Sequence, residues 1–176
     1  MSSPDGGSMM PAVTLPTDRQ WYGQDGRVAA VDSPLREAET HQLGATTMRF
    51  LVTHDMTEGR FGLFRWEMGP DSGGASPHFH RNIAETFIVL DGAVGLYDGQ
   101  RWVTRGPGDV VYVPEGGIHG FRQEGEDPST MLILFVPGPR REEYFLELVD
   151  VVTNDRTLSE EEWRELWARH DQYPAT

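Results

Sequence analysis

The chain contains no cysteine, which removes disulfide bridges, thiolate catalysis, zinc fingers and iron-sulfur clusters together. Any metal it binds must therefore sit on nitrogen and oxygen. Long apolar runs are missing too: nothing approaches the roughly 18 residues of a membrane-spanning helix. The N-terminus lacks the basic patch and apolar stretch of a secretory signal. The expectation is a cytoplasmic protein with no membrane partner. Basic residues are also scarce, 15 against 28 acidic, for a formal charge of -13. Phosphate backbones are bound by clustered Lys and Arg that displace counterions, so nucleic acid is not an expected partner.

What is present suits one globular core. Of 176 residues, 38% are hydrophobic and 10% aromatic, and a chain of this length can bury about two-thirds of its unfolded surface. Residues 1–20 are rich in Ser, Gly, Pro and Asp without an apolar period and are expected to form a flexible tail. From Thr46 onward short segments alternate: Met48, Phe50 and Val52, a polar turn from His54 to Gly59, then Phe64, Trp66 and Met68. Further strands are expected over Thr86–Leu90, Val94–Tyr97, Trp102–Thr104, Val110–Val113, Ile118–Arg122 and Met131–Val136, with Asp98-Gly99 as a two-residue hairpin turn. Closely spaced strands with no helix between them imply an all-β antiparallel sandwich or barrel over residues 21–137.

Beyond Pro137 the period changes. Phe145, Leu148, Val149 and Val152 fall at i, i+3, i+4 and i+7, as do Trp163, Leu166, Trp167 and His170. Two short helices are expected in a C-terminal segment, residues 138–176, packed on the β domain. Ser159 and Glu162 have the spacing of a capping box for the second.

Chemistry concentrates between Ser76 and Glu85. Residues two apart in a strand share a face, so His78 and His80 present two imidazoles side by side. A turn at 81–84 would return Glu85 at the start of the next strand. Imidazole and carboxylate together suit first-row divalent ions: iron, manganese, nickel, cobalt, copper or zinc. A His-x-His pair alone is also what an ordinary surface strand presents.

A second cluster completes a more specific pattern. The run His78-x-His80-x4-Glu85-x6-Gly92 and the run Gly108-x5-Pro114-x-Gly116-x2-His119 resemble, at each of these positions, the two signature motifs of the cupin superfamily. The resemblance covers roughly residues 50–136. Ser72 stands where the first motif usually opens with Gly, beside Gly73 and Gly74, and Gln123 stands where the second usually ends in Asn. Neither departure touches a ligand position. The resemblance implies a small antiparallel jelly-roll β-barrel with short C-terminal helices, holding one divalent metal ion on His78, His80, Glu85 and His119. As in related cupins, an octahedral ion would keep two adjacent positions for water, substrate or oxygen.

Strand alternation gives the expected pocket. If Glu85 points inward, so do Phe87 and Val89; if His119 does, so do Phe121 and Gln123. Phe50, Phe64, Trp66 and Met68 are candidates for the same apolar, aromatic-lined cavity, each being also an ordinary core residue. His41, His54 and His170 are expected to be non-ligands, and Arg140-Arg141 with Glu142-Glu143 to be a solvated helix start.

Within the superfamily the chain looks most like the single-domain quercetin dioxygenase-like group. That resemblance implies a metal-dependent dioxygenase acting on a phenolic, flavonol-like or otherwise enolisable aromatic substrate. Glu85 would serve as ligand and general base, and the barrels would pair as a homodimer. Two alternatives remain: redox-neutral isomerisation, cyclisation or dehydration with the ion as Lewis acid, and a non-catalytic cupin that binds a small ligand.

Overall fold

The computed structural model describes residues 32–70 and 72–175; the expected N-terminal tail, residues 1–20, lies outside them. The described residues form two antiparallel sheets. The larger has the order β1-β2-β3-β10-β5-β8, built from β1 (Glu39–Leu43), β2 (Thr46–Val52), β3 (Gly62–Met68), β10 (Ser129–Val136), β5 (Ala84–Asp91) and β8 (Val110–Val113). The smaller has the order β11-β4-β9-β6-β7, from β11 (Tyr173–Pro174), β4 (Ala75–Phe79), β9 (His119–Gln123), β6 (Val94–Tyr97) and β7 (Trp102–Arg105). No hydrogen-bonded ladder joins the two among the described residues. The arrangement is consistent with a jelly roll, yet the sheets do not close into the expected barrel.

The sheets are held face to face by side chains that the alternating pattern drives inward. In β3 residues 62, 64, 66 and 68 are buried and those between are not. Residues 129, 131, 133 and 135 of β10 repeat the pattern, so Phe64, Trp66, Met131, Ile133 and Phe135 share one core. Trp66 on the larger sheet meets Phe121 on the smaller with ring centroids 5.1 Å apart and planes at 75°, an edge-to-face contact.

Two turns differ from expectation. Asp98 and Gly99 belong to a four-residue connection, because Tyr97 pairs with Trp102 across the hairpin. The Asp98 carboxylate accepts hydrogen bonds from the backbone N–H groups of Gln100 and Arg101, both at 2.9 Å, which stabilises the wider loop. The segment from His54 contains one helical turn, α1 (His54–Thr57), closed by Glu58 at φ 51°.

The C-terminal segment holds α2 (Arg141–Thr153) and α3 (Glu160–Arg169). Ser159 and Glu162 form a reciprocal capping box at the start of α3. After α3 the chain passes through Asp171, at φ 54°, and pairs β11 against β4, with Tyr173 opposite Phe79 and Pro174 opposite His78. The last residues thus lie alongside the strand that carries the first His of the cluster.

Candidate metal centre

Strands of both sheets bring the cluster together. His78 lies in β4 and His80 just beyond its end, Glu85 is the second residue of β5, and His119 opens β9. His78 and His119 face each other across the β4–β9 ladder. One potential ligand atom from each of the four residues lies within 4.8 Å of all the others, and none of the four residues is more than 5% exposed. Glycines permit this approach. A Cβ at Gly74 would sit 1.9 Å from the Phe121 carbonyl oxygen. Gly116, at φ 78°, donates its N–H to the His80 carbonyl at 2.6 Å, pinning the turn before His119 to the first motif.

Each imidazole has its outer nitrogen occupied. Nδ1 donates to the Ser76 carbonyl from His78 at 2.8 Å, to the Asp171 carbonyl from His80 at 2.6 Å, and to the Gly117 carbonyl from His119 at 2.9 Å. A carbonyl oxygen can only accept, so each Nδ1 carries the proton, and the neutral ring offers a lone pair at Nε2. Glu85 Oε2 lies 2.8 Å from Nε2 of His119 and 3.1 Å from Nε2 of His80. Acceptor meets acceptor at those distances unless positive charge is present, either as a proton on a ring or as a cation. The donor set, its tautomers and its burial therefore fit a divalent first-row ion held by His78, His80, Glu85 and His119.

The proton affinities follow the same logic. Burial, followed by the charge of His119, pushes the His78 imidazole down to about 3. Burial also disfavours ionised Glu85, but the charge and hydrogen bond of His119, then those of His80, outweigh it and hold the carboxyl well below the usual carboxylate range. For His119, burial opposes the charged ring and Glu85 overcomes it, raising the imidazole above its ordinary value.

A cavity of about 390 Å³ adjoins the cluster, reaching His78 and Glu85, and this is a size that holds a small organic molecule. Its walls come from the sheets and from the C-terminal segment. Of the side chains expected there, Trp66 and Phe121 line it. Phe50, Phe64, Met68, Phe87 and Val89 are buried in the core, and the Phe87 ring packs 5.8 Å from that of His119. Gln123 is bound to the Asp127 carbonyl and to Ser129. The remaining histidines are engaged elsewhere: His41 with Glu39, His54 with the Gly138 carbonyl, and His170 with Glu147.

The helical wall was not anticipated. Arg141, Tyr144, Phe145 and Leu148 of α2, Trp167 of α3 and Gln172 all line the cavity. The expectation of a solvated helix start describes Arg140, which pairs with Asp55 at 2.6 Å, and fails for Arg141, which is 3% exposed. The Arg141 guanidinium stacks 4.1 Å from the Tyr144 ring centre. It donates to the His170 carbonyl at 3.0 Å and to Gln172 Oε1 at 2.6 Å. Among the described residues no carboxylate pairs with it; burial lowers its proton affinity, against the attraction of Tyr144, Glu85 and Asp171. Arg141 Nε and Trp66 Nε1 are buried N–H groups without acceptors, each an omission that ordinarily destabilises a fold by about 1–3 kcal/mol. The available sequence signal was the spacing of Arg141, Tyr144, Phe145 and Leu148 at i, i+3, i+4 and i+7, which places the arginine on the apolar face.

Comparison with known proteins agrees with this architecture. Residues 64–135 match the cupin domain family. Quercetin 2,3-dioxygenase from Bacillus subtilis is 28% identical over 111 residues, spanning 62% of this chain and 32% of that protein. Glucose-6-phosphate isomerase from Pyrococcus horikoshii is 32% identical over 80 residues, 42% of each chain. The chain thus spans less than half the length of either curated relative. Among solved structures, the polyketide cyclase RemF from Streptomyces resistomycificus superposes with a TM-score of 0.53 at 24% identity, covering 67% of this chain and 94% of that one. The domain match and the shared fold support the cupin superfamily.

Proposed function

We propose that the protein is a metal-dependent dioxygenase acting on a phenolic or enolisable aromatic substrate in the cavity beside His78 and Glu85. The observation that carries this reading is the juxtaposition of a buried three-imidazole, one-carboxylate cluster with an aromatic-walled cavity of about 390 Å³. Partial similarity to quercetin 2,3-dioxygenase supports it. A bound divalent ion supplies a Lewis acid that lowers the proton affinity of an oxygen donor and, where redox-active, a route for electrons to dioxygen. His78, His80 and His119 would hold that ion through Nε2, their orientation set by the three backbone carbonyls at Nδ1. Glu85 is ionised at neutral pH, the state in which a carboxylate accepts an enol or phenol proton. Trp66, Phe121 and Phe145 provide flat apolar walls for an aromatic ring and limit the water beside it.

Elemental analysis of the purified protein, followed by oxygen-electrode assays with each first-row ion restored, tests the reading. One ion per chain and oxygen uptake with flavonols or hydroxylated aromatic acids are expected. Glu85→Gln should lower the turnover by at least about 100-fold, the lower range for losing a general base. A metallated protein that consumes no oxygen across the panel would overturn it. A redox-neutral reading has its own support in the 32%-identical isomerase. Turnover that persists under strict anaerobiosis, or with zinc, would select it.

A further inference from the structure

We infer that Arg141 is the specificity-determining residue of this cavity and that the molecule bound there is a flat aromatic or conjugated acid, its planar carboxylate held by the guanidinium. The inference deepens the proposed function and rests on its reading of the cavity as the substrate site.

Three observations converge. First, the guanidinium is buried and, among the described residues, has no carboxylate partner; its recorded acceptors, the His170 carbonyl and the Gln172 amide oxygen, are neutral. The carboxylates of Glu85 and Asp171 attract it without pairing with it, and a buried charge left without a paired counter-charge is strongly disfavoured unless an anion joins it. Second, Arg141 Nε–H and Trp66 Nε1–H, both on residues lining the cavity, have no acceptor. Third, much of the remaining wall is aromatic or aliphatic, with Phe121, Ile133, Phe135, Phe145 and Leu148, the polar part being Thr46, Ser76 and the cluster's His78 and Glu85, which suits a flat apolar body with polar groups at its edge. Arg presents the planar fork that matches a carboxylate. The chain contains no lysine, so no ammonium competes for that role.

Charge bookkeeping points the same way. With the imidazoles neutral and Glu85 ionised, a divalent ion would leave the cluster with one positive charge; Arg141 adds a second, close enough for Glu85 and His119 to feel it, and the Asp171 carboxylate offsets one of the two. A carboxylate on the substrate brings the cavity toward neutrality.

The test is isothermal titration of the full chain with 2-naphthoate, its uncharged isostere 2-naphthamide, and 2-naphthyl phosphate. It is run on protein as purified and after chelator treatment, with metal content checked by elemental analysis. In the chelated protein naphthoate should bind about tenfold or more tighter than the amide, the scale of one charge-assisted hydrogen bond. Arg141→Gln should abolish that preference while the amide still binds, which shows that the cavity survives. Trp66→Phe, which removes one N–H and keeps the packing, should reduce the preference and decides the matter if Arg141→Gln does not fold. Equal affinity for acid and amide, binding of neither, a preference that persists in Arg141→Gln, or tighter binding of the phosphate each overturn the inference. Failure of the metal or oxygen assays leaves these affinities untouched, so the two readings fail separately.

Discussion

Asp171 sits at a position that only its backbone and side chain together explain. Its φ of 54° is tolerated better by Asp and Asn than by most residues. Its carbonyl accepts the His80 Nδ1 proton at 2.6 Å, while its carboxylate accepts from the backbone N–H of Asn82 at 2.8 Å and of Arg81 at 3.2 Å. The side chain thus fastens the turn after His80 to the carbonyl that orients the ring. Asp171→Ala should weaken metal binding by about tenfold, the scale at which outer-shell partners act, with a smaller loss for Asp171→Asn, measured by competition with a chromophoric chelator. Titration adds a second prediction. His78 is pushed down to about 3, so the unfolded chain binds a proton the native state refuses, and stability falls as pH drops below the ordinary histidine value. His119 is raised, so its contribution is complete below that value and is lost as pH rises through the folded one. The metal-free protein should therefore melt highest near pH 6.5, the ordinary imidazole value from which both rings depart, with a fall on each side. The metal-loaded protein should lose the alkaline fall, because ligands bind metal deprotonated; thermal melts across pH decide this.

At the scale of elements, the legible parts of the fold were those with alternating faces, as in β3, or short apolar runs between turn residues. β6 and β8, runs of the second kind, begin and end as expected, and β5 is only extended at both ends and β10 at its start. β1 was not legible because both of its faces are exposed or half-buried. β11 is two residues long and exists through its pairing to β4, a tertiary event with no local signature. The cluster was legible because period-two geometry and motif spacing depend on few residues. The cavity was not, because Tyr144, Phe145, Leu148 and Trp167 reach it from helices distant in sequence, and because a search for apolar residues passes over Arg141. Gly74 belongs to this scale, since its missing Cβ lets the segment before β4 touch β9. Gly74→Ala places a carbon 1.9 Å from the Phe121 carbonyl oxygen and must part the two segments. It should destabilise the fold by about 2–3 kcal/mol in urea denaturation and weaken metal binding, since His78 and His119 sit on the parted strands.

The whole molecule sets two fields against each other. Its formal charge is -13, and a net charge of that size repels anions over about one Debye length, roughly 10 Å at 0.1 M salt. Inside, the buried guanidinium and a cation at the cluster attract them, and buried charges are screened far less than surface ones. An anionic ligand therefore approaches against the outer field and is retained by the inner one. Salt should act on the two steps differently. In stopped-flow mixing, the association rate of 2-naphthoate should rise as salt is raised from about 0.01 to 0.2 M, where the Debye length contracts by about fourfold. Its dissociation rate should change little, and the association rate of 2-naphthamide should be flat. A naphthoate association rate that falls with salt would mean that the acid is steered by exposed positive charge, placing its binding on the outer surface and not beside Arg141.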